Sequence, residues 1–452
     1  MDVNQEKLDQ VLQKMATDDV HLVRWEQSDT YGIARSKTIR AVHFRERTND
    51  GFPYYIGMVG IDPQFSLVHN TGYHEELGYS DGLMIPDLDT YVTLPWCKNT
   101  GRVLMDPTLD GKLFAPHPRT VARKQLDRLK EMGFSLLSGH EYEFFVVDQN
   151  TLDPITKDTS ARATIRNNKD SALVHQLLTD LPKVGIDVDN FDSEYAPGQF
   201  EITYKPSFGI TSPDTAHTFR TSVKEIALQH GYIASFMTRP FPECVGSSCH
   251  FNTSLWDVDG KKGLMFDPNS PNGLSDVAQY WIAGMLAHAP AISLLMAPTI
   301  NCLKRFKPGT FAPLPVTWGF DNRSAALRIK VRGERGTFVE NRMGAAGGNP
   351  YICLAATVAA GIDGIQKKMK LPPPVKFSSY DAKNLPPKTQ TLSSDMKTAL
   401  GYFTNDDVIR EALGAEFCKC FGALKLHEMN LEAEAKAKGD DEWERNMFFE
   451  YL

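Results

Sequence analysis

The sequence predicts an α+β protein with two domains, a small strand-rich domain over residues 1–110 and a larger mixed domain over residues 111–452. The first observation is the length, because 452 residues are too many for one ordinary hydrophobic core. The second is a change of pattern near residue 117, where short alternating segments separated by glycine and proline give way to a helical period. We expect the larger domain to carry the chemistry.

The composition is that of a globular protein, with 42% hydrophobic and 23% charged residues. The net charge is -7 and the lysines and arginines are dispersed, which argues against nucleic acid or an anionic membrane as a partner. The first twenty residues lack the pattern of a signal peptide, and no apolar run is long enough to span a bilayer. The seven scattered cysteines include no C-x-x-C pair, which indicates reduced thiols in a cytoplasmic protein.

The elements of the first domain can be predicted in order. Residues 1–20 have the pattern of an amphipathic helix, and residues 20–44 alternate around an aspartate-containing turn as a β-hairpin does. Three further strand-like segments follow, namely YYIGMVGID (54–62), GLMIPD (82–87) and GRVLMD (101–106).

The second domain begins with a predicted helix over residues 117–134, with Pro118 at its start and Gly133 at its end. Helical patterns recur over residues 214–232 and 349–369, and a proline-rich connector covers residues 371–387. Cys418 and Cys420 fit a helix better than a metal site.

Two glutamates lie two residues apart in the strand-like segment GHEYEFFVVD (139–148). Residues i and i+2 of a strand point to the same face, so Glu141 and Glu143 should project together. Two unit charges about 4 Å apart repel by roughly 4 kcal/mol at an effective dielectric constant near 20. The pair therefore indicates either a nearby cation or a solvated face at a sheet edge.

Further acidic residues and a histidine follow. Glu194 and Glu201 flank the Ala196–Gln199 turn of SEYAPGQFEITY, where a surface hairpin is the simpler alternative. His250 lies among small residues that let a backbone approach a ligand. The alternative to a ligand role for His250 is a hydrogen-bonded structural role. Five carboxylates and one imidazole suit Mg²⁺ or Mn²⁺, and arginines suit phosphate. The sequence thus indicates phosphoryl transfer, with Glu340 as the fifth carboxylate and Arg323, Arg328 and Arg342 as the nearby arginines.

Five motifs in order resemble those of class I glutamine synthetases: GHEYEFFVVD, PGQFEI, GSSCHFNTSLWD, NRSAALRI and VENRMGAAGGNPY. Other segments, such as SLWDVDGKKG and VTWGFDNRS, resemble the lengsin branch of this family, which lies near the γ-glutamyl-amine ligases. The resemblance implies the glutamine synthetase fold, with a small N-terminal β-grasp domain and a large catalytic domain whose antiparallel strands form a funnel. It also implies ATP as co-substrate, Mg²⁺ or Mn²⁺, glutamate and an amine as substrates, and a dodecamer of two hexameric rings.

The resemblance further implies a role for each matching residue. One metal would be held by Glu143, Glu194 and Glu201, and a second by Glu141, His250 and Glu340. Glutamate would meet Arg305 and Arg342 beside Gly246, while the transferred phosphoryl group would meet Arg323. The nucleotide would lie near Ser254 and Asn252, with Arg328 on its phosphates. Asp62 would reach the neighbouring subunit to bind the incoming ammonium.

Three positions depart from the family pattern. Phe311 stands where glutamine synthetases carry the glutamate that accepts the ammonium proton, and a phenyl ring cannot do so. It can instead wall an apolar pocket or face an organic ammonium through a cation–π contact. Asn252 replaces the second histidine of an H-x-H motif, and Phe338 replaces an arginine.

Two functions from different classes follow. The first is an ATP- and metal-dependent ligase that joins the γ-carboxylate of glutamate to ammonia or, in preference, to an organic amine through a γ-glutamyl phosphate. The second is a catalytically silent oligomeric protein of the lengsin type with a structural or partner-binding role. The intact ligand set favours the first, while Asn252 and Phe338 favour the second.

Overall fold

The structure is a computed structural model that describes residues 3–452, and it contains two β-sheets with helices packed on both. The prediction of an α+β protein is confirmed. The first sheet has the strand order β2-β1-β5-β4-β3, with β6 paired to β5. Its strands are β1 Leu22–Ser28, β2 Ala34–Arg40, β3 Phe52–Tyr55, β4 Asp81–Thr93, β5 Thr100–Leu109 and β6 Lys112–Leu113.

Two helices accompany this sheet, α1 Gln5–Thr17 and α2 Phe44–Asp50, together with 3-10 turns at Ala41–His43, Ile56–Gly60 and Glu75–Leu77. The predicted first helix begins later than its pattern indicated, because the Asn4 side chain caps it by accepting a hydrogen bond from the Lys7 N–H. Met1 and Asp2, included in that prediction, lie outside the described residues. The apolar face of α1 packs on the sheet through Leu8, Val11 and Met15.

The predicted hairpin is confirmed, since β1 and β2 pair antiparallel from Leu22–Arg40 to Ser28–Ala34. The prediction of a strand over residues 54–62 is wrong for most of that range. After Tyr55 the chain tightens into the 3-10 turn Ile56–Gly60, because it packs too closely for larger side chains. A Cβ on Gly57 would lie 2.5 Å from the Tyr55 ring, and one on Gly60 would lie 2.7 Å from Thr71 Oγ1.

The second sheet has nine strands in the order β13-β14-β15-β12-β7-β9-β8, and β10 and β11 also pair with the long strand β7. All its pairings are antiparallel except β13 with β14. The strands are β7 Phe134–Asp148, β8 Val188–Ser193, β9 Gln199–Tyr204, β10 Ser207–Phe208, β11 Tyr232–Ser235, β12 Cys249–Asp257, β13 Trp318–Phe320, β14 Leu327–Lys330 and β15 Phe338–Asn341.

The remaining helices surround this sheet. Pro118 is the first residue of α3, and the prediction that Gly133 follows its end is confirmed by a φ of +86°. The helix predicted over residues 214–232 ends earlier, because Gly231 turns the chain into β11. Cys418 and Cys420 lie within a helix as predicted. The helices are α3 Pro118–Glu131, α4 Thr164–Asn167, α5 Ser171–Asp180, α6 Thr211–Gln229, α7 Asp276–Ala287, α8 Ala289–Met296, α9 Ile300–Leu303, α10 Gly333–Gly336, α11 Pro350–Gln366, α12 Met396–Thr404, α13 Asp407–Leu413, α14 Ala415–Lys438 and α15 Trp443–Phe448, with 3-10 turns at Leu181–Val184 and Ala382–Asn384.

The largest hydrophobic core lies around α7, α8 and α11. Helices α8 and α11 are almost entirely buried. Glycines allow α7 and α11 to approach each other at backbone distance. A Cβ on Gly284 would lie 2.2 Å from the Ala360 carbonyl oxygen, and one on Gly361 would lie 2.1 Å from the Trp281 ring. No helix within residues 3–452 has the length and apolar character needed to span a membrane.

A buried arginine joins the first sheet to two helices of the second domain. Arg119 at the start of α3 donates hydrogen bonds to Asp87 on β4 (2.6 Å), Asp106 on β5 (2.7 Å) and Asp214 on α6 (2.8 and 2.9 Å). Tyr351 donates to Asp214 as well (2.7 Å). The predicted boundary between residues 110 and 111 falls in the turn between β5 and β6, so β6 still belongs to the first sheet.

Candidate active site

The register of the second sheet brings the predicted metal ligands together. His250 on β12 is directly opposite Glu141 on β7, and Glu201 on β9 is directly opposite Glu143. Glu340 on β15 is directly opposite both Asn252 and Arg328. Because directly opposed residues point to the same face of a sheet, these side chains share one surface. Glu194 joins them from the loop immediately after β8.

One half of this carboxylate cluster consists of Glu143, Glu194 and Glu201. Glu143 accepts hydrogen bonds from the Ser248 N–H (2.8 Å), the Ser248 hydroxyl (2.6 Å) and the Gln199 amide (3.2 Å). Burial, followed by the charges of Glu141, Glu143 and Glu194, raises the pKa of Glu201 to about 9. Burial and the charge of Glu143 raise the pKa of Glu194 to about 7. The nearby positive charges do not fully compensate the negative charge of these three carboxylates.

The other half consists of Glu141, His250 and Glu340, and cations compensate its charge. The His250 Nδ1 lies 3.3 Å from Glu141 and 3.7 Å from Glu340. Burial disfavours the ionised form of Glu141, but His250 outweighs it and holds the pKa of that carboxyl at about 2. Glu340 accepts from Arg342 (2.5 Å) and Arg328 (3.0 Å), and its pKa is likewise lowered despite burial.

The donor set fits a hard divalent cation in chemistry, because carboxylate oxygens are the ligands that Mg²⁺ and Mn²⁺ prefer. The raised pKa values of Glu194 and Glu201 mark the charge that such a cation would offset. Within residues 3–452, no three His, Cys, Asp or Glu side chains are arranged as a ready metal-binding group. Side-chain rotations are therefore needed to bring these oxygens to coordination distance.

The residues predicted to bind glutamate lie beside the cluster. Arg305 is buried and donates to the carbonyls of Arg342 (3.2 Å) and Met343 (3.1 Å). Burial lowers the pKa of Arg305 to about 10. The Nε atoms of Arg305 and Arg342 have no partner among the described residues, so each arginine keeps a free donor. A Cβ on Gly246 would lie 3.3 Å from Arg305 Cβ, which leaves little room for a larger residue there.

The residues predicted to bind the nucleotide continue along β12, β14 and β15. Ser254 donates to the Thr337 carbonyl (3.0 Å), and the Asn252 side-chain oxygen is buried without a partner among the described residues. Arg328 also donates to Asp321 (3.2 Å). The Lys330 ammonium lies 5.3 Å from the centre of the Phe338 ring and 3.8 Å from Glu340. Lys330, which the sequence analysis did not single out, supplies a positive charge beside the position that lacks an arginine.

Two predicted site residues lie apart from the cluster. Arg323 is exposed in the loop between β13 and β14, and its side chain has no hydrogen bond or ion pair within residues 3–452. Asp62 lies in the first domain, where it accepts from the Ser66 N–H (2.8 Å) and sits 3.4 Å from His427. Its residue is only 2% exposed within its own chain.

Two tyrosines interact with predicted site residues and were not predicted from the sequence. The ring of Phe311, which is 53% exposed, stacks on Tyr195 with centroids 5.0 Å apart. Tyr195 directly follows Glu194, so the motif SEYAPGQFE contained the signal. Tyr380 comes from the proline-rich connector; burial raises its pKa, while the charges of Arg342 and Arg305 oppose that rise. Tyr380 is thus within electrostatic range of both arginines, which no local pattern indicates.

The second sheet presents glutamates, a histidine and arginines on one face, an arrangement that fits enzymes which use divalent metals and phosphate. The family model described as the glutamine synthetase catalytic domain matches residues 115–447. The chain belongs to the glutamine synthetase family, and the prediction of its fold is confirmed. A solved GmaS complex with ADP superposes with a TM-score of 0.83 at 25% identity, over 96% of this chain and 98% of that one.

Curated relatives extend over nearly the whole chain. Lengsin from Canis lupus familiaris is 36% identical over 99% of this chain and 76% of its own length. Glutamine synthetase from Thermus thermophilus is 33% identical over 90% of this chain and 91% of that protein. Glutamate–isopropylamine ligase from a Pseudomonas species is 29% identical over 91% of this chain and 92% of that protein.

Proposed function

We propose that the protein is an ATP- and divalent-metal-dependent ligase that joins the γ-carboxylate of glutamate to an organic amine. The observation that carries this proposal is the position of the Phe311–Tyr195 ring pair. Tyr195 directly follows Glu194 of the carboxylate cluster in the chain, so the ring pair lies beside that cluster. A cluster of this chemistry suits phosphoryl transfer, and a ring pair at its edge suits an acceptor that contains carbon. The relationship to a glutamate–isopropylamine ligase supports the same substrate class.

Each side chain then has a task that follows from its chemistry. Arg305 and Arg342 bind the α-carboxylate of glutamate through their free donors, and Gly246 leaves space beside them. Arg328 and Lys330 bind phosphate oxygens of ATP, close to Ser254 and Asn252. Arg323 is exposed in its loop, and we propose that it meets the transferred phosphoryl group when this loop moves inward.

The reaction requires two displacements. The γ-carboxylate of glutamate attacks the terminal phosphoryl group of ATP, which gives an acyl phosphate and ADP; the amine then attacks the carbonyl carbon, loses a proton and expels phosphate. Divalent metals, held by Glu143, Glu194 and Glu201 and by Glu141, His250 and Glu340, would supply charge neutralisation for the phosphoryl oxygens. The side chains orient glutamate and keep the acceptor against the ring pair.

The acceptor follows from the ring pair. Phe311 has a positive φ of 58°, and its ring stacks on that of Tyr195. Two stacked rings provide an apolar surface and a cation–π face, and neither group pairs with a compact ammonium ion as a carboxylate does. Each methylene buried against the rings contributes about 0.8 kcal/mol, which ammonia cannot gain.

ADP release tests this proposal. Purified protein is incubated with ATP, glutamate, Mg²⁺ or Mn²⁺, and a panel consisting of ammonia, alkyl amines and polyamines. We expect ADP release to depend on glutamate, metal and an organic amine. The substitution Glu201→Gln should abolish this release. Asp189→Asn on the neighbouring strand β8 is the matched control, because Asp189 pairs with Lys205 away from the cluster. Release with ammonia alone would contradict the acceptor assignment.

A second candidate is a catalytically silent, lengsin-type assembly protein. The exposed position of Arg323, together with Asn252 and Phe338, favours it, and so does the identity of 36% to lengsin. This candidate predicts no ADP release with any amine, although the particle remains intact. Recovery of ATP turnover in the double variant Phe338→Arg, Asn252→His would support it.

We also propose the assembly and location that the family resemblance implies. Domains over residues 1–110 and 111–452 would build a cytoplasmic dodecamer of two hexameric rings, with Asp62 at a subunit boundary. In its own chain Asp62 is held by Ser66 and His427, so its loop has to move if the carboxylate is to reach an ammonium in a neighbouring site.

A further inference from the structure

The first sheet curls so that side chains from its two outer strands, β2 and β3, meet. In a flat sheet, four steps of about 4.8 Å would place β2 and β3 roughly 19 Å apart. Instead the Lys37 ammonium on β2 lies 4.9 Å from the centre of the Phe52 ring on β3. The Trp25 and Phe52 rings are 5.4 Å apart, although β5 and β4 separate their strands in the sheet. The concave face of the sheet is therefore nearly closed.

This concave face is only partly filled. Helices α1 and α2 cover one end of it through Leu8, Val11 and Phe44. At the other end remains a cavity of about 300 Å³, within the range of small-molecule sites. Its floor is apolar, and the pair Gln27–Tyr54 closes its base by a hydrogen bond. The apolar lining includes Trp25, Phe52, Met58, Met84, Met105 and Phe65.

The rim of the cavity is positively charged. Arg35 and Lys37 face the same side as Gln27 and Trp25, because these residues are directly opposed across β1 and β2. Asp29 neutralises Arg35 at 2.8 Å, whereas Lys37 has no carboxylate within ion-pair distance among residues 3–452. Trp25 is 4% exposed, and its indole N–H has no hydrogen-bond partner among the described residues. A buried indole N–H usually finds an acceptor.

We propose that this cavity of the first domain binds a small carboxylate with an apolar body, such as an aromatic or short aliphatic acid. The carboxylate lies at the rim near Lys37, the apolar body lies on the three methionines, and the free Trp25 N–H meets an acceptor atom of the ligand. Methionine side chains are flexible and polarizable, so the floor accommodates ligands of somewhat different shape. This site is separate from the carboxylate cluster of its own chain, and the proposal does not depend on any ligase activity. Arg35 at the rim also donates to the carbonyls of Asp62 (3.3 Å) and Pro63 (3.1 Å), which holds the Asp62 loop beside the cavity.

Calorimetry and saturation-transfer NMR on the full chain test the proposal with three probes of one shape: phenylacetate, 2-phenylethanol and phenethylamine. We expect saturable binding of phenylacetate, and binding of the alcohol and the amine that is weaker by roughly tenfold or more, as for a lost charge-assisted contact. Lys37→Met should remove the preference for the anion. Lys112→Met, an exposed lysine on β6 of the same sheet, should leave binding unchanged.

A second variant fills the cavity. Met58 is partly exposed in its 3-10 turn, so Met58→Trp should fold and should abolish phenylacetate binding while the melting temperature and particle mass stay the same. Three results would overturn the proposal: no saturable binding of phenylacetate, equal affinity for phenylacetate and 2-phenylethanol, or binding that survives Met58→Trp. A loss of particle mass in Met58→Trp with unchanged phenylacetate binding would instead make this face a contact between copies of the chain.

Discussion

In the proposed reaction, a single side chain, Phe311, sets the choice of acceptor. The Phe311 ring stacks on Tyr195. If Phe311 occupies the position at which the family pattern has glutamate, the proposed site loses a charge and gains an apolar surface. The sequence alone exposed this replacement, because Phe311 lies in a motif whose family pattern carries glutamate. It could not reveal Tyr195 as its partner, because the two residues are far apart in the chain.

The first prediction concerns acceptor preference. Phe311→Glu should shift kcat/KM toward ammonia and away from alkyl amines, because each methylene loses about 0.8 kcal/mol of burial, about fourfold per methylene. Phe311→Leu is the control, since it keeps apolar bulk without charge and should retain the preference for amines. Ratios of kcat/KM for ammonia and for butylamine decide the matter. An unchanged ratio in Phe311→Glu would place the acceptor elsewhere.

The second prediction concerns His288, which bridges Asp406 (2.6 Å) and Asp363 (2.9 Å) between the C-terminal end of α7 and the helices α11 and α13. Burial opposes the charged imidazole, but the two aspartates outweigh it and raise the pKa of His288 above 6.5. A raised folded-state pKa means that the stabilisation is complete below pH 6.5 and is lost as pH rises through the folded-state value.

Melting temperatures measured between pH 5.5 and 9 test this expectation. The wild type should exceed His288→Gln by the most at the acidic end, by about 1 kcal/mol in stability, and the difference should shrink toward pH 9. His175→Gln is the control, because His175 is exposed on α5. A difference that grows with pH would mean that His288 is neutral in the folded protein.

At the scale of single elements, sequence patterns predicted those helices and strands whose shape is determined by residues close together in the chain. The β1–β2 hairpin and the start of α3 could be predicted because alternation, a turn and a proline act within a few residues. The 3-10 turn Ile56–Gly60 could not, since its shape results from contact with Thr71 and the Tyr55 ring. Likewise, the electrostatic influence of Arg305 on Tyr380 depends on the path of a connector in which the 3-10 turn Ala382–Asn384 is the regular element among the described residues.

The third prediction concerns the contact between α7 and α11. Gly284→Ala should lower stability by about 1–3 kcal/mol, because its methyl group would meet the Ala360 carbonyl oxygen at 2.2 Å and force the helices apart. Gly422→Ala in α14 is the matched control. Nothing lies within 4 Å of its Cβ position, so the better helix propensity should raise stability by up to about 1 kcal/mol. Thermal melts of both variants test this prediction. An unchanged melting temperature in Gly284→Ala would show that α7 and α11 can move to accommodate the methyl group.

For the whole molecule, the fold could be predicted because five motifs occur in family order, whereas the relation of the two sheets could not. Arg119 bonds to aspartates from β4, β5 and α6, and no sequence pattern shows that these three share one partner. Breaking such a buried pair leaves an uncompensated charge. The arrangement therefore fixes the first sheet against the second.

The fourth prediction concerns assembly. If sites lie between subunits, particles of roughly twelve copies of the 50.5 kDa chain should persist at nanomolar concentration. Mass photometry measures this directly. The control is the same measurement in the presence of ATP and Mg²⁺, which should leave the mass unchanged. A stable monomer or dimer would remove the basis for a shared site and for a role of Asp62 in a neighbouring subunit.

The curl of the first sheet also affects how the chain avoids aggregation. Unpaired strand edges invite pairing with other chains, and proteins protect them with short strands, proline and lysine or arginine. Here β3 has only four residues and contains Pro53, while β2 carries Arg35, Lys37 and Arg40. Because Lys37 lies over Phe52, each outer strand also shields the other. Within residues 3–452, neither outer strand of the first sheet therefore offers a long, uncharged edge to another chain during folding.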